Sequence, residues 1–234
     1  MVSPTDLAKI RIDHIGSLVR PAKLKDAFAR YDRGQAAREE LARAQDDAIR
    51  DVIQKQEAHG LPIITDGEFR RHSFQESFSE CVAGFDVPKS VSLYYERRDL
   101  NQNPLERAEQ NFEEAGPAIV TRRAAFERLN LVRNLPLEEF HYAQSVAKVP
   151  AKVTVLGPDR IAQRFKWEGS KNVYRDLDDF VDHVVQIERQ MITELVRAGC
   201  KYVQIDAPGY TAYVDKVSLE RMRSRGEDPE KNFQ

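Results

Sequence analysis

Three short motifs stand directly after apolar runs of strand length, and they constrain the fold of this chain more than any other feature. The motifs are Ile15-Gly16-Ser17, Thr65-Asp66-Gly67-Glu68 and Gln204-Ile205-Asp206-Ala207-Pro208. In a parallel α/β protein the carboxyl ends of the strands face one side, and that side carries the chemistry. We therefore expect Asp66, Glu68 and Asp206 to converge on one site, although they lie far apart in the sequence.

Strand patterns and helix patterns alternate along the chain. Strands are predicted at 10–15, 61–65, 118–121, 151–156 and 202–205, and helices at 21–30, 36–58, 69–81, 137–147 and from Asp176 or Asp178 to about 199. This alternation predicts an α/β fold with a parallel sheet and helices outside it. Five strands are too few to close an eight-stranded barrel, so the sheet is either open and doubly wound or the front part of a barrel.

The segment 84–117 differs in character from the rest of the chain because it is polar and irregular. We interpret it as an excursion from the core that forms a hairpin or a lid over the strand ends, since loops of this length are uncommon unless they have a function. A solvated insertion without a role is an equal alternative. The excursion belongs to a single domain that spans 1–234.

Composition and charge exclude several classes of partner. The chain has 36 basic and 38 acidic side chains in 234 residues, and a net charge of −2 argues against nucleic acid or an anionic membrane. No apolar stretch approaches the roughly 18 residues of a membrane span, and residues 1–20 lack the apolar centre of a signal peptide. Two cysteines, Cys81 and Cys200, fit a reducing compartment. We expect a cytoplasmic protein.

The common signatures of metal and nucleophile chemistry are missing from the sequence. There is no Cys-x-x-Cys, His-x-Cys or His-Glu-x-x-His, so the sequence does not predict a zinc site built from the cysteines and histidines of this chain. Gly-x-Ser-x-Gly, Gly-x-Gly-x-x-Gly and Walker motifs are also missing. His14 and His72 lie near predicted strand ends, where a structural histidine is a better interpretation than a ligand or a base.

The carboxylates at the strand ends are the best candidates for function. Glu68 follows a Gly67 turn, and Asp206 directly follows a predicted strand that Pro208 prevents from continuing. A half-buried carboxylate in such a position suits an ammonium group or a cationic ring. The alternative is helix capping, because Asp commonly precedes a helix. Asp66 is the weaker candidate of the three.

Two neighbouring features leave their interpretation open. Arg70 and Arg71 follow Glu68, and they can pair locally or meet a substrate carboxylate; a solvated position is the better interpretation for at least one of them. Gly16 and Ser17 can offer backbone N–H groups to an anion, or they can form an ordinary tight turn.

In order and spacing, the motifs beginning at His14, Asp66 and Gln204 resemble the cobalamin-independent methionine synthase family, and more specifically its short, single-barrel members related to the C-terminal catalytic half. The resemblance covers nearly all of the chain. It implies a TIM (β/α)8 barrel of which only about the first five strands are present. It also implies a function like that of 5-methyltetrahydropteroyltriglutamate–homocysteine S-methyltransferase, a transferase of methionine biosynthesis. In that family methyltetrahydrofolate donates the methyl group to homocysteine, whose thiol is activated by zinc.

The resemblance also assigns roles to individual residues. It implies that Ile15, Gly16 and Ser17 contact the carboxylate of the substrate amino acid, and that Glu68 and Asp206 hold its ammonium group.

Two departures from the family pattern change what we expect of this chain. Ala207 stands where the motif commonly has glutamate, which weakens the assignment of folate chemistry. The family's zinc ligands, a His-x-Cys pair, a glutamate and a second cysteine, lie on later strands. The sequence therefore predicts no catalytic and no metal-binding residue here, and a barrel fragment that is inactive alone. Its open edge would be covered by self-association or by a missing C-terminal half.

Two other functions stay open. One is a related zinc-dependent alkyl transferase that acts on another thiol. The other is a non-catalytic scaffold that binds an amino acid.

Overall fold

The computed structural model describes residues 10, 13–86, 123–224 and 228–230. Its helices are α1 (Ala22–Asp32), α2 (Arg38–Ala58), α3 (Leu135–Val146), α4 (Pro158–Gln163), α5 (Leu177–Arg197) and α6 (Lys216–Ser224). Its strands are β1 (Val82–Phe85), β2 (Ala125–Leu131), β3 (Lys152–Leu156) and β4 (Tyr202–Asp206). The fold is therefore mixed α/β, and most of the long predicted helices and strands are confirmed.

Parallel pairing brings together three of the predicted strands. β3 and β4 run parallel, from Lys152 opposite Tyr202 to Leu156 opposite Asp206. On the other side of β3, Ile64 forms a parallel bridge to Ala151. The carboxyl ends of these three segments consequently lie at one edge, which is the arrangement that the motifs predict.

The first predicted strand is not formed by residues 13–15, and residues 11 and 12 lie outside the described part of the chain. The side chain of Lys152 donates to the His14 carbonyl, and Gln204 Nε2 donates to the Ile15 carbonyl at 3.0 Å. Side chains of β3 and β4 therefore bind the carbonyls of this segment in place of a strand partner.

The predicted helix at 69–81 is wrong. Ser73 is extended, with φ −151° and ψ 159°, and helical geometry is limited to a 3₁₀ turn at Phe74–Glu76. Phe78 is instead buried in the second apolar cluster described below, and Phe74 packs against that cluster. The predicted strand at 118–121 lies outside the described residues.

One antiparallel strand pair was not predicted. β1 pairs with β2, with Val82 opposite Leu131 and Phe85 opposite Ala125. The predicted excursion at 84–117 thus begins inside β1, and from residue 87 onward it lies outside the described residues. Its role as a hairpin or lid stays a prediction.

Two apolar clusters hold the helices on the sheet. The first joins α1, α2 and α3 to the sheet through buried residues that include Phe28, Ile49, Ile53, Phe140 and Val153. The second lies beneath α4 and α5, where Phe165 stacks on Phe180 with ring centroids 3.7 Å apart. Each fully buried aliphatic or aromatic side chain contributes about 1.5–3 kcal/mol. The two long helices each bury one apolar face in these clusters, α2 through Ile49 and Ile53 and α5 through Phe180.

Helix α5 begins as the sequence predicts. Of the two aspartates considered, Asp176 is the cap, because its Oδ1 accepts from the Asp179 N–H at 2.8 Å.

Within the described residues, no helix is both long and apolar enough to cross a membrane.

Asn134 joins α3 to α5. Its Oδ1 accepts from the Leu137 N–H at 3.2 Å, which caps α3, and its Nδ2 donates to the Met191 carbonyl at 3.1 Å and to Glu194 at 2.8 Å. The single side chain therefore serves both helices.

Replacing Asn134 by alanine should lower the free energy of unfolding by about 1–2 kcal/mol, because α3 loses its cap and α5 loses two donors. Urea unfolding followed by circular dichroism measures this loss. Asn130→Ala, at an exposed position of β2, is the matched control and should stay within about 0.5 kcal/mol of wild type. Equal losses for the two variants would contradict the role given to Asn134.

His72 is held between two carboxylates. Its Nδ1 lies 3.4 Å from Glu80 and its Nε2 lies 3.3 Å from Asp32, at the end of α1. The hydrogen bond to Glu80, helped by the charges of both carboxylates, raises the pKa of His72 against the effect of burial. This agrees with the structural role that the sequence predicts for the residue.

The raised pKa predicts a pH dependence of stability. Since the folded state favours the charged imidazole, the stabilisation is full below the unfolded pKa of about 6.5 and is lost as the pH rises through the raised pKa. His72→Gln should therefore cost more stability at about pH 5.5 than at about pH 8.5, as measured by urea unfolding at both values. His59→Gln, at the exposed end of α2, is the control. The same cost at both values would show that His72 does not titrate as argued.

Candidate functional site

The three motifs meet at the carboxyl ends of the parallel segments. Ser17 Oγ donates to Glu68 Oε2 at 2.7 Å, and Thr65 Oγ1 donates to the Gly16 carbonyl at 2.7 Å. Gln204 Nε2 reaches the Ile15 carbonyl and also Asp206 Oδ1, at 2.6 Å. The predicted convergence of Asp66, Glu68 and Asp206 is thus found, with the segment from Ile15 to Ser17 between them.

Glu68 occupies a tight turn whose backbone is fixed by two hydrogen bonds. Gly67 and Glu68 both have positive φ, at 74° and 59°, so the chain reverses sharply after Asp66. Asp66 Oδ1 accepts from the Glu68 N–H at 2.9 Å, and Arg20 donates to the Glu68 carbonyl at 3.0 Å. A positive φ in a residue other than glycine is strained, and these contacts hold it.

The Glu68 carboxylate is buried and receives one hydroxyl on each oxygen. Besides Ser17, Thr154 Oγ1 donates to Glu68 Oε1 at 2.8 Å. Thr154 lies on β3 two residues after Lys152, and side chains two apart on a strand share a face. Glu68 is only 2% exposed, so its position is set by these two donors.

Arg71 lies directly behind Glu68 and is also buried. Its Nε and Nη2 bind the two oxygens of Glu139 at 2.8 and 2.6 Å, and its Nη1 lies 3.5 Å from Glu68 Oε1. It also donates to Thr154 Oγ1 at 3.1 Å and to the Thr154 carbonyl at 2.7 Å. Burial lowers the pKa of Arg71, but the facing carboxylates outweigh it and raise the pKa.

Arg70 is also paired and is only 15% exposed, so neither arginine has the solvated position that was expected for at least one of them. It binds Asp46 at 2.5 Å, and its guanidinium stacks over the Tyr142 ring at 4.7 Å. Both arginines therefore pair locally, Arg71 within the site and Arg70 outside it.

The positive charge of Arg71 also acts on two other buried carboxyl groups, those of Asp66 and Glu139. Burial raises the pKa of Asp66 and that of Glu139, and Arg71 opposes the rise in both. Asp66 Oδ2 is buried and has no hydrogen-bond partner among the described residues.

Asp206 completes the site from the end of β4. It is half-buried, and burial raises its pKa while the bond from Gln204 lowers it and the charge of Glu68 raises it further. The 3₁₀ turn that follows begins at Pro208, with Ala207 in the capping position and no side-chain cap bond. The capping alternative for Asp206 is therefore not the arrangement found.

Lys152 anchors the segment that carries Ile15. Its buried Nζ donates to Asp13 Oδ1 at 2.9 Å and to Gln204 Oε1 at 2.8 Å, as well as to the His14 carbonyl. Tyr202 donates to the other oxygen of Asp13 at 2.7 Å. Lys152 is thus satisfied by three acceptors on two segments, residues 13–14 and β4.

The site as a whole holds more carboxyl groups than cations. The carboxyl groups around it are those of Asp13, Asp66, Glu68, Glu139 and Asp206. The cations are Arg20, Arg71 and Lys152. Because all of these groups except the exposed Asp13 are buried or half-buried, the imbalance favours a cationic ligand.

The described residues do not fit a zinc ion. In the part of the chain that the structure covers, no group of three or more histidine, cysteine, aspartate or glutamate side chains is placed to hold a metal. Cys81 is buried, donates to the Ser77 carbonyl, and burial raises its pKa to about 11. Cys200 is buried as well and donates to the Tyr202 carbonyl.

Sequence reasoning missed Thr154 and Glu139. The signal for Thr154 was available, because Lys152 and Thr154 are polar at alternate positions of an apolar strand. Glu139 lies on the buried stripe of α3 with Leu135 and Ala143, at the spacing of one helix face. A carboxylate among the buried apolar residues of one helix face indicates that a buried cation pairs with it.

The conformation of Gly16 gives a direct test of the site. Gly16 has φ +120°, and a Cβ there would lie 2.6 Å from Thr154 Cγ2 and 3.3 Å from Glu68 Oε1. Gly34 also has a positive φ, +69°, but a Cβ there would meet no atom within 4 Å. Gly16→Ala should therefore cost about 1–3 kcal/mol more than Gly34→Ala in urea unfolding, because it adds overlap to backbone strain. Equal costs would mean that Gly16 is not packed against Thr154.

Comparison with known proteins identifies the family of this chain. The family model "Cobalamin-independent synthase, Catalytic domain" matches residues 12–227. The methionine synthase of Sulfurisphaera tokodaii is 28% identical over 207 residues, covering 87% of this chain and 53% of the relative. The protein YxjH of Bacillus subtilis is 24% identical over 224 residues, covering 95% of this chain and 54% of the relative.

Solved structures agree with this fold. A putative vitamin-B12 independent methionine synthase from Listeria monocytogenes superposes with a TM-score of 0.64 at 21% identity, over 92% of this chain and 56% of that one. The chain spans about half the length of the curated relatives it matches. From the extent of the family match, the chain belongs to the cobalamin-independent methionine synthase catalytic-domain family.

Proposed function

We propose that the site around Glu68 and Asp206 binds the amino-acid part of a homocysteine-like thiol, and that this binding serves methyl transfer to the thiol sulfur. The observation that carries the proposal is the environment of Glu68. Its carboxylate is buried, fixed by the hydroxyls of Ser17 and Thr154, and placed near a second carboxylate, Asp206. Two carboxylates in this arrangement form a site for an ammonium group.

The other end of the amino acid meets the segment at 15–17 in this proposal. Ile15 is 75% exposed at the edge of the site, while its carbonyl is bound by Gln204. The backbone of this segment is therefore held in place with one face open to solvent. We propose that Ile15, Gly16 and Ser17 contact the substrate carboxylate there.

The relatives support the substrate class. Two archaeal proteins that match over 87% of this chain are methionine synthases. A B12-independent methionine synthase from Shewanella sp. W3-18-1, with a TM-score of 0.56, was solved in complex with selenomethionine. Selenomethionine has the ammonium, the carboxylate and the methylated chalcogen of a product of thiol methylation. It is thus a suitable probe for this site.

The remaining parts of the reaction follow from family membership and are proposed with it. The methyl donor would be methyltetrahydrofolate, and the described segments would form the front part of a TIM barrel. We assign no step to zinc, because the described residues offer no group that fits it. The second candidate is a related alkyl transferase acting on another thiol. Ala207 favours it, since the family motif commonly has glutamate at that position.

Calorimetric titration with selenomethionine tests the proposal. Wild type should bind it at pH 7, and Glu68→Gln and Asp206→Asn should each weaken binding by about tenfold or more, because each removes a charge-assisted hydrogen bond to the ammonium group. Glu138→Gln is the control, since Glu138 pairs with Arg133 on the exposed side of α3.

The control should leave the affinity unchanged. If wild type does not bind the amino acid, or if Glu68→Gln binds it as well as wild type, the proposal is wrong.

A further inference from the structure

Arg71 stands between two buried carboxylates at unequal distances. Two of its nitrogens bind Glu139 at 2.8 and 2.6 Å, whereas Glu68 lies 3.5 Å from it. All three side chains are only 2–3% exposed, so the bulk solvent screens these interactions little. The distance from Arg71 to each carboxylate therefore determines how strongly the guanidinium offsets the negative charge of Glu68.

The geometry shows why Arg71 stays with Glu139. The planar guanidinium matches the two oxygens of a carboxylate, and such parallel bonds are the strong form of an ion pair. The remaining bonds of Arg71 go to the Thr154 hydroxyl and carbonyl. Because the Thr154 hydroxyl accepts from Arg71, its own hydrogen points to Glu68.

We propose that Glu139 is a positioning residue that holds Arg71 away from Glu68 and so leaves the Glu68 carboxylate available to the ammonium group of the ligand. Glu139 lies on α3, behind Arg71, and acts only through it. This inference rests on the proposed function, since it concerns the ammonium group of an amino-acid ligand.

The proposal predicts a specific failure when Glu139 loses its charge. In Glu139→Gln the nearest carboxylate to Arg71 is Glu68, which in wild type lies 3.5 Å away and without a hydrogen bond from Arg71. The guanidinium therefore moves into direct hydrogen-bond contact with Glu68 and competes with the ligand ammonium. A ligand without an ammonium group does not experience this competition. A purely structural role for Glu139 would instead weaken both kinds of ligand alike.

The experiment compares methionine with 4-(methylthio)butanoate, which has the same skeleton without the amino group. Affinities of both for the full chain are measured by calorimetric titration at pH 7, for wild type and Glu139→Gln. The preference of wild type for methionine should fall by about tenfold or more in Glu139→Gln, while the affinity for 4-(methylthio)butanoate stays within about threefold. Glu138→Gln, the neighbouring carboxylate on the exposed side of α3, should keep the wild-type preference.

The outcomes separate this inference from the proposed function. If wild type shows no preference for methionine, the ammonium site itself is wrong. If the preference exists and survives in Glu139→Gln, or if both ligands weaken equally, the site stands and the role of Glu139 is overturned. Glu139→Asp provides a second variant in case the glutamine variant does not fold. It keeps the charge but shortens the side chain, so it should lower the preference in the same direction by a smaller factor.

Discussion

The rest of the site depends on the contacts of the buried Arg71 guanidinium. The guanidinium connects the turn that carries Glu68, the strand that carries Thr154 and the helix that carries Glu139. Removing a charge of this size from water is costly, and the cost is offset only because five hydrogen bonds and ion contacts satisfy the group. Loss of one partner of such a buried pair typically costs about 3–5 kcal/mol. The same contacts therefore fix the fold at this edge and the electrostatics of the site.

The architecture explains why one site can be built from distant parts of the sequence. Parallel pairing of the segment at 64 with β3, and of β3 with β4, brings the residues that follow each strand to one edge. Ser17 and Thr154 then fix Glu68 by two hydroxyl donors. Asp206 adds charge from the neighbouring strand. In the proposed function, this edge binds the ammonium group of the ligand.

The features that could be predicted from the sequence are those that local chemistry determines. The long amphipathic helices, the strands at β3 and β4 and the convergence of the carboxylates follow from periodicity and from the motifs at strand ends. The helix predicted at 69–81 failed because the tertiary packing of Phe78 overrode the local pattern. Residues 13–15 were predicted as a strand, but Lys152 and Gln204 bind their carbonyls from another part of the chain. Long-range contacts between side chain and backbone have no local sequence signal.

A crystal structure with bound selenomethionine, measured at the selenium absorption edge, would show whether Glu68 and Asp206 bind the ammonium group. The anomalous signal locates the ligand independently of the chain. We expect selenium at the edge formed by β3 and β4, with the ligand nitrogen at hydrogen-bond distance from Glu68 and Asp206. A ligand bound at this edge with its nitrogen turned away from both carboxylates, or a ligand bound elsewhere on the chain, would contradict this expectation.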